Sequence, residues 1–253
     1  MTQVLDQYLQ EHSHFALAFS GGVDSAYLLY AAVQNHCDVT AYFVKTPFQP
    51  EFELRDAQKL SRQLNASLKI ITLNVLEDPV IASNPANRCY YCKKALFHAL
   101  ADQAVKDGYS VIFDGTNASD PADDRPGMKA LAELNVRSPL RECRLTKQEI
   151  RRLSREAGLF TYDKPSYACL ATRIPSGSLI TSELLSAIEN AEQKLSVLGY
   201  RDFRIRVFHG YARLQLLESQ FSQAIEQRTL LNQLLAQDFE GVLLDLTPRK
   251  GDD

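Results

Sequence analysis

Short apolar runs alternate with helical patterns over the first two-thirds of the chain. The runs, and the helical patterns between them, cover residues 14–20, 24–35, 38–45, 51–65, 67–75, 91–107 and 110–116. Strands that alternate with helices are typical of a parallel sheet with helices on both faces. A fifth strand at 136–140 and a helix at 146–157, with a capping box of Thr146 and Glu149, continue the pattern. It therefore predicts an α/β fold with a doubly wound parallel sheet.

The pattern changes after Gly158. Residues 161–179 (TYDKPSYACLATRIPSGSL) are rich in proline, serine and glycine, which predicts a loop. The segments that follow predict a helix at 181–198, strands at DFRIRVF and YARLQLL, a helix at 219–236 and a strand at GVLLDLT. This αββαβ order does not continue a parallel sheet and predicts a smaller C-terminal α+β domain. The predicted organisation is a first domain at 1–160, an active-site linker loop at 161–179 that carries Cys169, and a small domain at 180–253.

Composition places the chain among ordinary globular proteins. Of its 253 residues, 45% are hydrophobic and 23% are charged, and the formal net charge is −3. This charge gives no general attraction to nucleic acid or anionic membranes. The first residues, MTQVLDQYLQEHSH, lack the features of a signal peptide, and no apolar run approaches the roughly 18 residues of a membrane helix. Five cysteines, an odd number, do not suggest a disulfide scaffold. We therefore expect a soluble, cytoplasmic protein.

The glycine loop, residues 20–25 (SGGVDS), stands where the first predicted strand turns into a helix. Amide groups at a helix N-terminus bind anions, and glycine lets the backbone approach a phosphate closely. The residues predicted to bind ATP and pyrophosphate here are Ser20, Gly21, Gly22, Asp24 and Ser25. The alternative is a tight turn in which Asp24 caps the helix. Because the loop has no lysine, the charge of a triphosphate would be met by amides, a divalent cation and arginines from elsewhere.

The glycine loop resembles the signature of the PP-loop ATP pyrophosphatases, which cleave ATP between the α and β phosphates and adenylate a substrate oxygen. Four further segments resemble the LarE family of sulfur transferases: CYYCKKALF (89–97), DGTNASDPADDRPG (114–127), YDKPSYACLATRIPSG (162–177) and FRIRVFHGYARL (203–214). The resemblance implies an enzyme that adenylates carboxylates of pyridinium-3,5-biscarboxylic acid mononucleotide, releases pyrophosphate and inserts sulfur. Its product serves the nickel-pincer cofactor of lactate racemase. The resemblance also implies ATP and Mg²⁺ as cofactors, and a homo-oligomer.

Three cysteines raise a separate question. Cys89 and Cys92 stand near the start of a predicted helix, where the dipole favours thiolates. Resemblance to the cluster-bearing branch of the family implies that they hold a [4Fe–4S] cluster together with Cys169, leaving one iron open to a sulfide of unknown source. The alternatives are a redox pair, inert thiols, or a zinc site completed by a histidine such as His98 or His209. In another form of the family, the residue matching Cys169 is a sacrificial sulfur donor.

Two arginines in a predicted strand, Arg204 and Arg206, point to the same face. Spacing alone favours a solvated face of a small sheet. The resemblance implies instead that both bind the substrate phosphate, together with Thr172 and Arg173.

Several carboxylates complete the candidate site. The resemblance associates Glu192 with a divalent metal, although a solvent-facing helix position is the alternative. Gln215 stands where the family can have a further glutamate, which puts a second metal site in doubt. Asp114 and Arg125 are predicted to contribute to the ATP and pyrophosphate site. Three neighbouring aspartates would either hold Mg²⁺ or solvate a loop: Asp120, Asp123 and Asp124.

Two rival functions remain open at this stage. A PP-loop tRNA thiolase can use the same type of cluster, but the net charge of −3 argues against RNA as a partner. A non-catalytic nucleotide sensor or iron–sulfur carrier would share the fold, because fold alone does not fix function.

Overall fold

The computed structural model describes residues 2–120 and 133–250, which form two compact units. The first unit consists of Met1–Val75 and Asn87–Lys164, and the second of Leu76–Ala86 and Pro165–Asp253. The segment Leu76–Ala86 thus belongs to the second unit, although the predicted boundaries placed it in the first domain.

The first unit contains a four-stranded parallel sheet. Its strands are β1 (His14–Ala18), β2 (Asp38–Lys45), β3 (Ser67–Thr72) and β4 (Ile112–Phe113), in the spatial order β3-β2-β1-β4. The helices of this unit are α1 (Gln3–Glu11), α2 (Val23–Gln34), α3 (Glu51–Leu64), α5 (Arg88–Lys106), α6 (Pro139–Glu142) and α7 (Lys147–Glu156).

Both faces of this sheet are covered. Along β1, Phe15 and Leu17 pack into one core, whereas Ala16 packs into another with Leu100 and Ala104 of α5. Alternate residues of a strand point to opposite faces, so each face of the sheet has its own core. The predicted α/β, doubly wound fold is confirmed.

The predicted fifth strand at 136–140 is wrong. Only one residue, Arg137, forms a bridge, and it pairs in parallel with Phe113. Pro139 then starts the short helix α6. Proline has no amide hydrogen to donate to a sheet ladder, and it is well suited to the first position of a helix. The capping box of Thr146 at the start of α7 is confirmed.

The second unit has the α+β character that its element order predicts. It contains α4 (Pro79–Ala82), a 3₁₀ turn at Leu170–Arg173, α8 (Ser182–Val197), β5 (Arg204–Phe208), β6 (Tyr211–Gln215), a 3₁₀ turn at Glu218–Gln220, α9 (Phe221–Glu226), α10 (Arg228–Leu235) and β7 (Val242–Leu244). Strand β6 is central, antiparallel to β5 and parallel to β7. The single helix predicted at 219–236 is wrong, because a break at Gln227 separates α9 from α10.

In residues 2–120 and 133–250, no helix combines the length and the apolar character that crossing a membrane requires.

Candidate active site

The glycine loop connects β1 to α2 in a tight conformation. Gly21 has a φ of +72°, and a Cβ there would lie 3.2 Å from the carbonyl oxygen of Glu53. Gly22 is the N-cap of α2, and it has no side chain that could accept a hydrogen bond from the first amides of the helix. These amides lie at the positive end of the helix dipole, so the loop offers the donors that phosphate oxygens need.

The two hydroxyls predicted in the glycine loop lie together. Ser20 Oγ and Ser25 Oγ are 3.1 Å apart, and the Gly22 amide donates to Ser20 Oγ at 3.3 Å. A further glycine makes this region compact, since a Cβ on Gly115 would lie 2.8 Å from the Ser25 nitrogen. Gly115 follows β4, so the structure brings the ends of two neighbouring strands together. Sequence reasoning did not single out Gly115, because the contact joins residues 90 positions apart.

Asp24 does not cap α2, so that alternative for the glycine loop is wrong. Its Oδ2 accepts a hydrogen bond from Lys147 Nζ at 2.7 Å. Its Oδ1 is buried and has no hydrogen-bond partner among the described residues. Burial raises the pKa of Asp24, and the positive charge of Lys147 opposes this increase. A buried carboxylate oxygen without a donor is well suited to a hard cation such as Mg²⁺.

Two lysines that the sequence analysis did not identify flank the glycine loop. Lys147 is the first residue of α7, and Lys164 lies just before the second unit. Lys164 Nζ donates to Asp56 Oδ2 at 2.6 Å and to the Gly21 carbonyl oxygen at 3.3 Å. The glycine loop itself contains no lysine, but two lysines from distant parts of the chain lie beside it. No sequence spacing could have revealed this, because both contacts are tertiary.

Asp114 orders the loop that follows β4. Its oxygens accept hydrogen bonds from the Thr116 hydroxyl at 2.5 Å, the Thr116 amide at 3.2 Å and the Ser138 hydroxyl at 2.7 Å. Asp114 is buried, and these contacts hold the backbone around Gly115. Asp120 Oδ2 accepts from the Asn117 amide at 2.9 Å. The other predicted residues of this segment, Asp123, Asp124 and Arg125, lie outside the described residues.

The first unit contributes two of the three candidate cysteines. Cys89 and Cys92 lie near the N-terminus of α5, and their spacing of three residues places them on the same side of the helix. Cys89 is exposed and Cys92 is half-buried. Arg88 Nη2 lies 3.8 Å from the sulfur of Cys89.

Cys169 belongs to the second unit, where it precedes the 3₁₀ turn at Leu170–Arg173. Its carbonyl oxygen accepts from the Thr172 hydroxyl at 2.7 Å. Within the described part of each unit, no three histidine, cysteine, aspartate or glutamate side chains form a group that could hold a metal ion.

A buried ion pair lies at the centre of the second unit. Arg173 Nε donates to Glu192 Oε1 at 2.9 Å, and the exposed fractions of the two side chains are only 1% and 7%. Burial opposes the charge of Arg173, but the adjacent Glu192 carboxylate outweighs it and raises the pKa of Arg173. Arg173 Nη1 also donates to the Ala168 carbonyl at 2.9 Å and to the Thr172 hydroxyl oxygen at 2.8 Å. The guanidinium therefore holds the Ala168 carbonyl, just before Cys169, and the Thr172 side chain, which follows it.

Glu192 is not a solvent-facing residue, so that alternative is wrong. Besides the Arg173 contacts, its carboxylate accepts from the Tyr167 hydroxyl at 2.5 Å and from the Ile205 amide at 3.0 Å. The ring of Tyr167 also lies beneath two guanidinium groups, at 4.5 Å from Arg173 and 5.3 Å from Arg204. The sequence analysis missed Tyr167, which sits in the predicted loop without any periodic pattern.

Arg204 and Arg206 lie on the same face of β5, as their spacing predicts. Arg204 is buried and donates to the Phe203 carbonyl at 2.6 Å and to the Ser166 carbonyl, so the solvated-face alternative is wrong for this residue. Arg206 Nη1 donates to the Thr172 carbonyl at 2.5 Å. Burial and then the charge of Arg173 lower the pKa of both arginines. The structure thus brings Thr172, Arg173, Arg204 and Arg206 together in one cation-rich region.

Comparisons with known proteins identify relatives of this chain. No protein-family model matches the chain. A Synechocystis sp. protein without an assigned function is 37% identical over 230 residues, which cover 89% of this chain and 85% of that protein. The pyridinium-3,5-bisthiocarboxylic acid mononucleotide synthase of Lactiplantibacillus plantarum is 32% identical over 241 residues, 94% of this chain and 87% of the synthase. The tRNA-specific 2-thiouridylase MnmA of Pseudothermotoga lettingae is 27% identical over 187 residues, 58% of this chain and 53% of MnmA. Similarity of this extent to the synthase shows that the chain belongs to the LarE family of PP-loop proteins.

Proposed function

We propose that this protein is an ATP-dependent sulfurtransferase of nickel-pincer cofactor biosynthesis. It transfers AMP from ATP to each carboxylate of pyridinium-3,5-biscarboxylic acid mononucleotide and releases pyrophosphate. A sulfur at the oxidation level of sulfide then displaces AMP, together with the activated oxygen, to give the thiocarboxylate. The similarity to the L. plantarum synthase over 94% of the chain supports this substrate. The structural observation that carries the proposal is the glycine loop, with a glycine as the N-cap of α2, two flanking lysines and a carboxylate oxygen of Asp24 that has no donor among the described residues.

The glycine loop binds the phosphates of ATP in this proposal. The α2 amides and the hydroxyls of Ser20 and Ser25 donate to phosphate oxygens, and Lys147 offsets part of the charge. Asp24 Oδ1 would hold Mg²⁺, because it is buried and accepts no hydrogen bond from the described residues. When bound, Mg²⁺ would neutralise charge on the pyrophosphate leaving group. For Asp114 we propose an indirect role, since its oxygens hold the loop at Gly115. The role of Arg125 remains a prediction.

The substrate phosphate is bound in the second unit by Arg204 and Arg206, in this proposal. The two guanidinium groups lie on one face of β5, and burial and a neighbouring arginine lower their pKa values. A bound phosphate dianion would stabilise their charged forms. Thr172 lies beside them, because its carbonyl accepts from Arg206. Arg173 is fully engaged with Glu192, Ala168 and Thr172, so we propose that it positions the turn that follows Cys169.

Three thiols carry the sulfur chemistry in this proposal. Cys89 and Cys92 fit a cluster because both thiols lie on one side of the first turns of α5, where the dipole favours thiolates. Cys169, held by the contacts of Arg173 and Thr172, provides the third thiolate. A [4Fe–4S] cluster on these residues would supply an open iron for a sulfide that replaces the activated oxygen. The alternative is that Cys169 gives up its own sulfur.

The first experiment incubates the anaerobically purified protein with ATP, Mg²⁺, sulfide and the biscarboxylic mononucleotide. We expect release of pyrophosphate that depends on the mononucleotide, and a mass increase of the substrate for each oxygen replaced by sulfur. A nucleotide sensor would bind ATP without this release. Thiolation of added tRNA, with no reaction of the mononucleotide, would instead favour the thiouridylase-like function.

A further inference from the structure

One face of the sheet in the second unit carries mainly polar and aromatic side chains. We call this the open face; it consists of residues 204, 206 and 208 of β5, residues 211, 213 and 215 of β6, and residues 243 and 245 at β7. The opposite face carries the buried residues Ile205, Ala212 and Leu214. Phe208 and Tyr211, by contrast, are exposed on the open face.

Two arginines stand directly opposite each other on the open face. The register of β5 and β6 pairs Arg206 with Arg213. Like charges at directly opposite positions of an antiparallel pair are destabilising. Burial lowers the pKa of Arg206, and the charges of Arg173 and Arg213 lower it further. A bound anion would offset this repulsion and accept hydrogen bonds from both guanidinium groups.

Arg213 also has an unused donor. Its Nε atom is buried and has no hydrogen-bond partner within residues 2–120 and 133–250. The nearest carboxylate, that of Asp245, lies at 3.7 Å, too far for a hydrogen bond. A buried N–H without an acceptor is costly, and a ligand oxygen would satisfy it.

Gln215 connects Arg206 to Asp245. Its Oε1 accepts from Arg206 Nε at 2.6 Å, and its Nε2 donates to Asp245 Oδ2 at 2.9 Å. An amide side chain can accept from a guanidinium and donate to a carboxylate at once, which a glutamate or a leucine cannot. A glutamate at this position would neutralise Arg206 and repel Asp245.

The residues at this place do not fit a divalent metal site. Glu192, the family carboxylate of the expected metal site, accepts hydrogen bonds from Arg173, Tyr167 and the Ile205 amide. Gln215 offers one neutral oxygen that already accepts from Arg206. Hard cations prefer several carboxylate or carbonyl oxygens that are not engaged with cations. The region instead has five arginines and three carboxylates, which leaves an excess of two positive charges. The arginines are Arg173, Arg204, Arg206, Arg213 and Arg249, and the carboxylates are Glu192, Asp202 and Asp245.

We infer that Arg213 joins Arg206 as a ligand of the substrate phosphate, and that this site binds a phosphate monoester without a divalent cation. Gln215 is a positioning residue that holds Arg206 in place without neutralising its charge. A phosphate monoester carries about −1.5 to −2 charges at neutral pH, which matches the excess positive charge. This inference rests on the proposed function, since it concerns the same phosphate site.

The test is calorimetric binding of nicotinic acid mononucleotide, a pyridinium phosphate monoester, with Mg²⁺ or with EDTA. We expect the same affinity under both conditions. Arg213→Gln should weaken binding about tenfold or more, as loss of a charged hydrogen bond does. Gln215→Glu should weaken it by a similar factor, and Gln215→Leu less, because leucine removes the bridge without adding a negative charge. Gln233→Glu, on the exposed surface of α10, is the charge-matched control and should bind like wild type.

Three outcomes would overturn the inference: affinity that requires Mg²⁺, unchanged affinity of Arg213→Gln, or no binding of the mononucleotide by wild type. The third would also remove the phosphate site from the proposed function. Retained, EDTA-insensitive binding without pyrophosphate release would count against the proposed function alone. Thermal unfolding midpoints of all variants separate loss of binding from loss of the fold.

Discussion

The two oxygen atoms of the Asp24 carboxylate have different surroundings. One pairs with Lys147 at 2.7 Å, and the other is buried without a donor among the described residues. Burial raises the pKa of Asp24, and the positive charge of Lys147 opposes this increase and so favours the ionised carboxylate. Lys147 therefore supports the nucleotide site both through its own charge and through that of Asp24.

Replacing Lys147 with methionine should raise the KM for ATP about tenfold or more, because a charged hydrogen bond in a partly buried site is lost. The KM for the mononucleotide, which we place in the second unit, should change little. Steady-state pyrophosphate release gives both values.

Lys194→Met is the matched control, since Lys194 forms a similar half-buried ion pair with Asp238 at 3.2 Å in the second unit. Equal changes in the KM for ATP in both variants would show that Lys147 has no specific role in nucleotide binding.

For single residues, the sequence was enough to predict contacts between neighbours in the chain. The residues of the glycine loop could be predicted, because strand, glycines and helix follow one another directly. Lys147 and Lys164 could not, since they reach the loop from 123 and 143 residues away. Glu192 was left between two alternatives, because its partners Arg173 and Tyr167 become visible only when α8 packs on the loop before it.

Among the elements, the amino ends of β1 and β2 are joined by a polar network. His14 Nδ1 lies 2.9 Å from Asp38 Oδ2, and its Nε2 lies 3.2 Å from the Gly108 carbonyl oxygen. Both neighbours are acceptors, so only the protonated ring can donate to both at once. The hydrogen bond to Gly108, followed by that to Asp38, raises the pKa of His14.

The network predicts a pH dependence of stability. A histidine with a raised pKa in the folded state contributes stability fully below its unfolded pKa of about 6.5, and the contribution is lost as pH rises through the folded value. The difference in unfolding free energy between wild type and His14→Gln should therefore be largest below about pH 6.5 and decrease as the pH rises above it. Urea unfolding at several pH values measures it.

His98→Gln, at an exposed position of α5, serves as the reference for this experiment. If the difference for His14→Gln stays constant with pH, or follows that of the reference, the protonated ring does not stabilise the amino ends of β1 and β2.

The order of elements was largely predictable from the hydrophobic pattern, and the errors have local causes. The run at 136–140 looks like a strand, but Pro139 cannot donate to a ladder and starts α6 instead. The run at 219–236 has a continuous helical pattern, yet the chain breaks at Gln227 between α9 and α10. Periodicity detects which side chains are buried, but it does not detect a break that keeps the same face buried.

For the whole molecule, the three cysteines proposed to hold the cluster are divided between the two units. Cys89 and Cys92 belong to the first unit, and Cys169 to the second. The segment Leu76–Ala86 returns to the second unit through contacts such as that of the Asn84 side chain with the Pro175 carbonyl at 2.8 Å. The hydrophobic pattern along the chain could not predict that this segment belongs to the second unit, because its place there depends on contacts between residues 91 positions apart.

Anaerobically purified protein should contain about four irons and at least four acid-labile sulfides per chain if three cysteines hold a cluster. Cys89→Ser and Cys169→Ser should each lower both values strongly, because each removes one of three thiolates. Cys143→Ser, which removes a half-buried thiol in the first unit, is the control and should retain the iron. Absence of iron, with loss of the mass of H₂S from the Cys169 peptide after turnover, would favour the sacrificial mechanism.

The close approach of Gly115 to Ser25 has a consequence for how freely this protein can change. A methyl group at position 115 would meet the Ser25 nitrogen at 2.8 Å, and neither backbone can yield without moving the start of α2. Every mutation of a glycine codon to another residue adds at least that methyl group. We therefore expect position 115 to tolerate only glycine, although this residue has no side chain that could take part in the chemistry. Substitutions elsewhere in the loop after β4 do not meet this restriction.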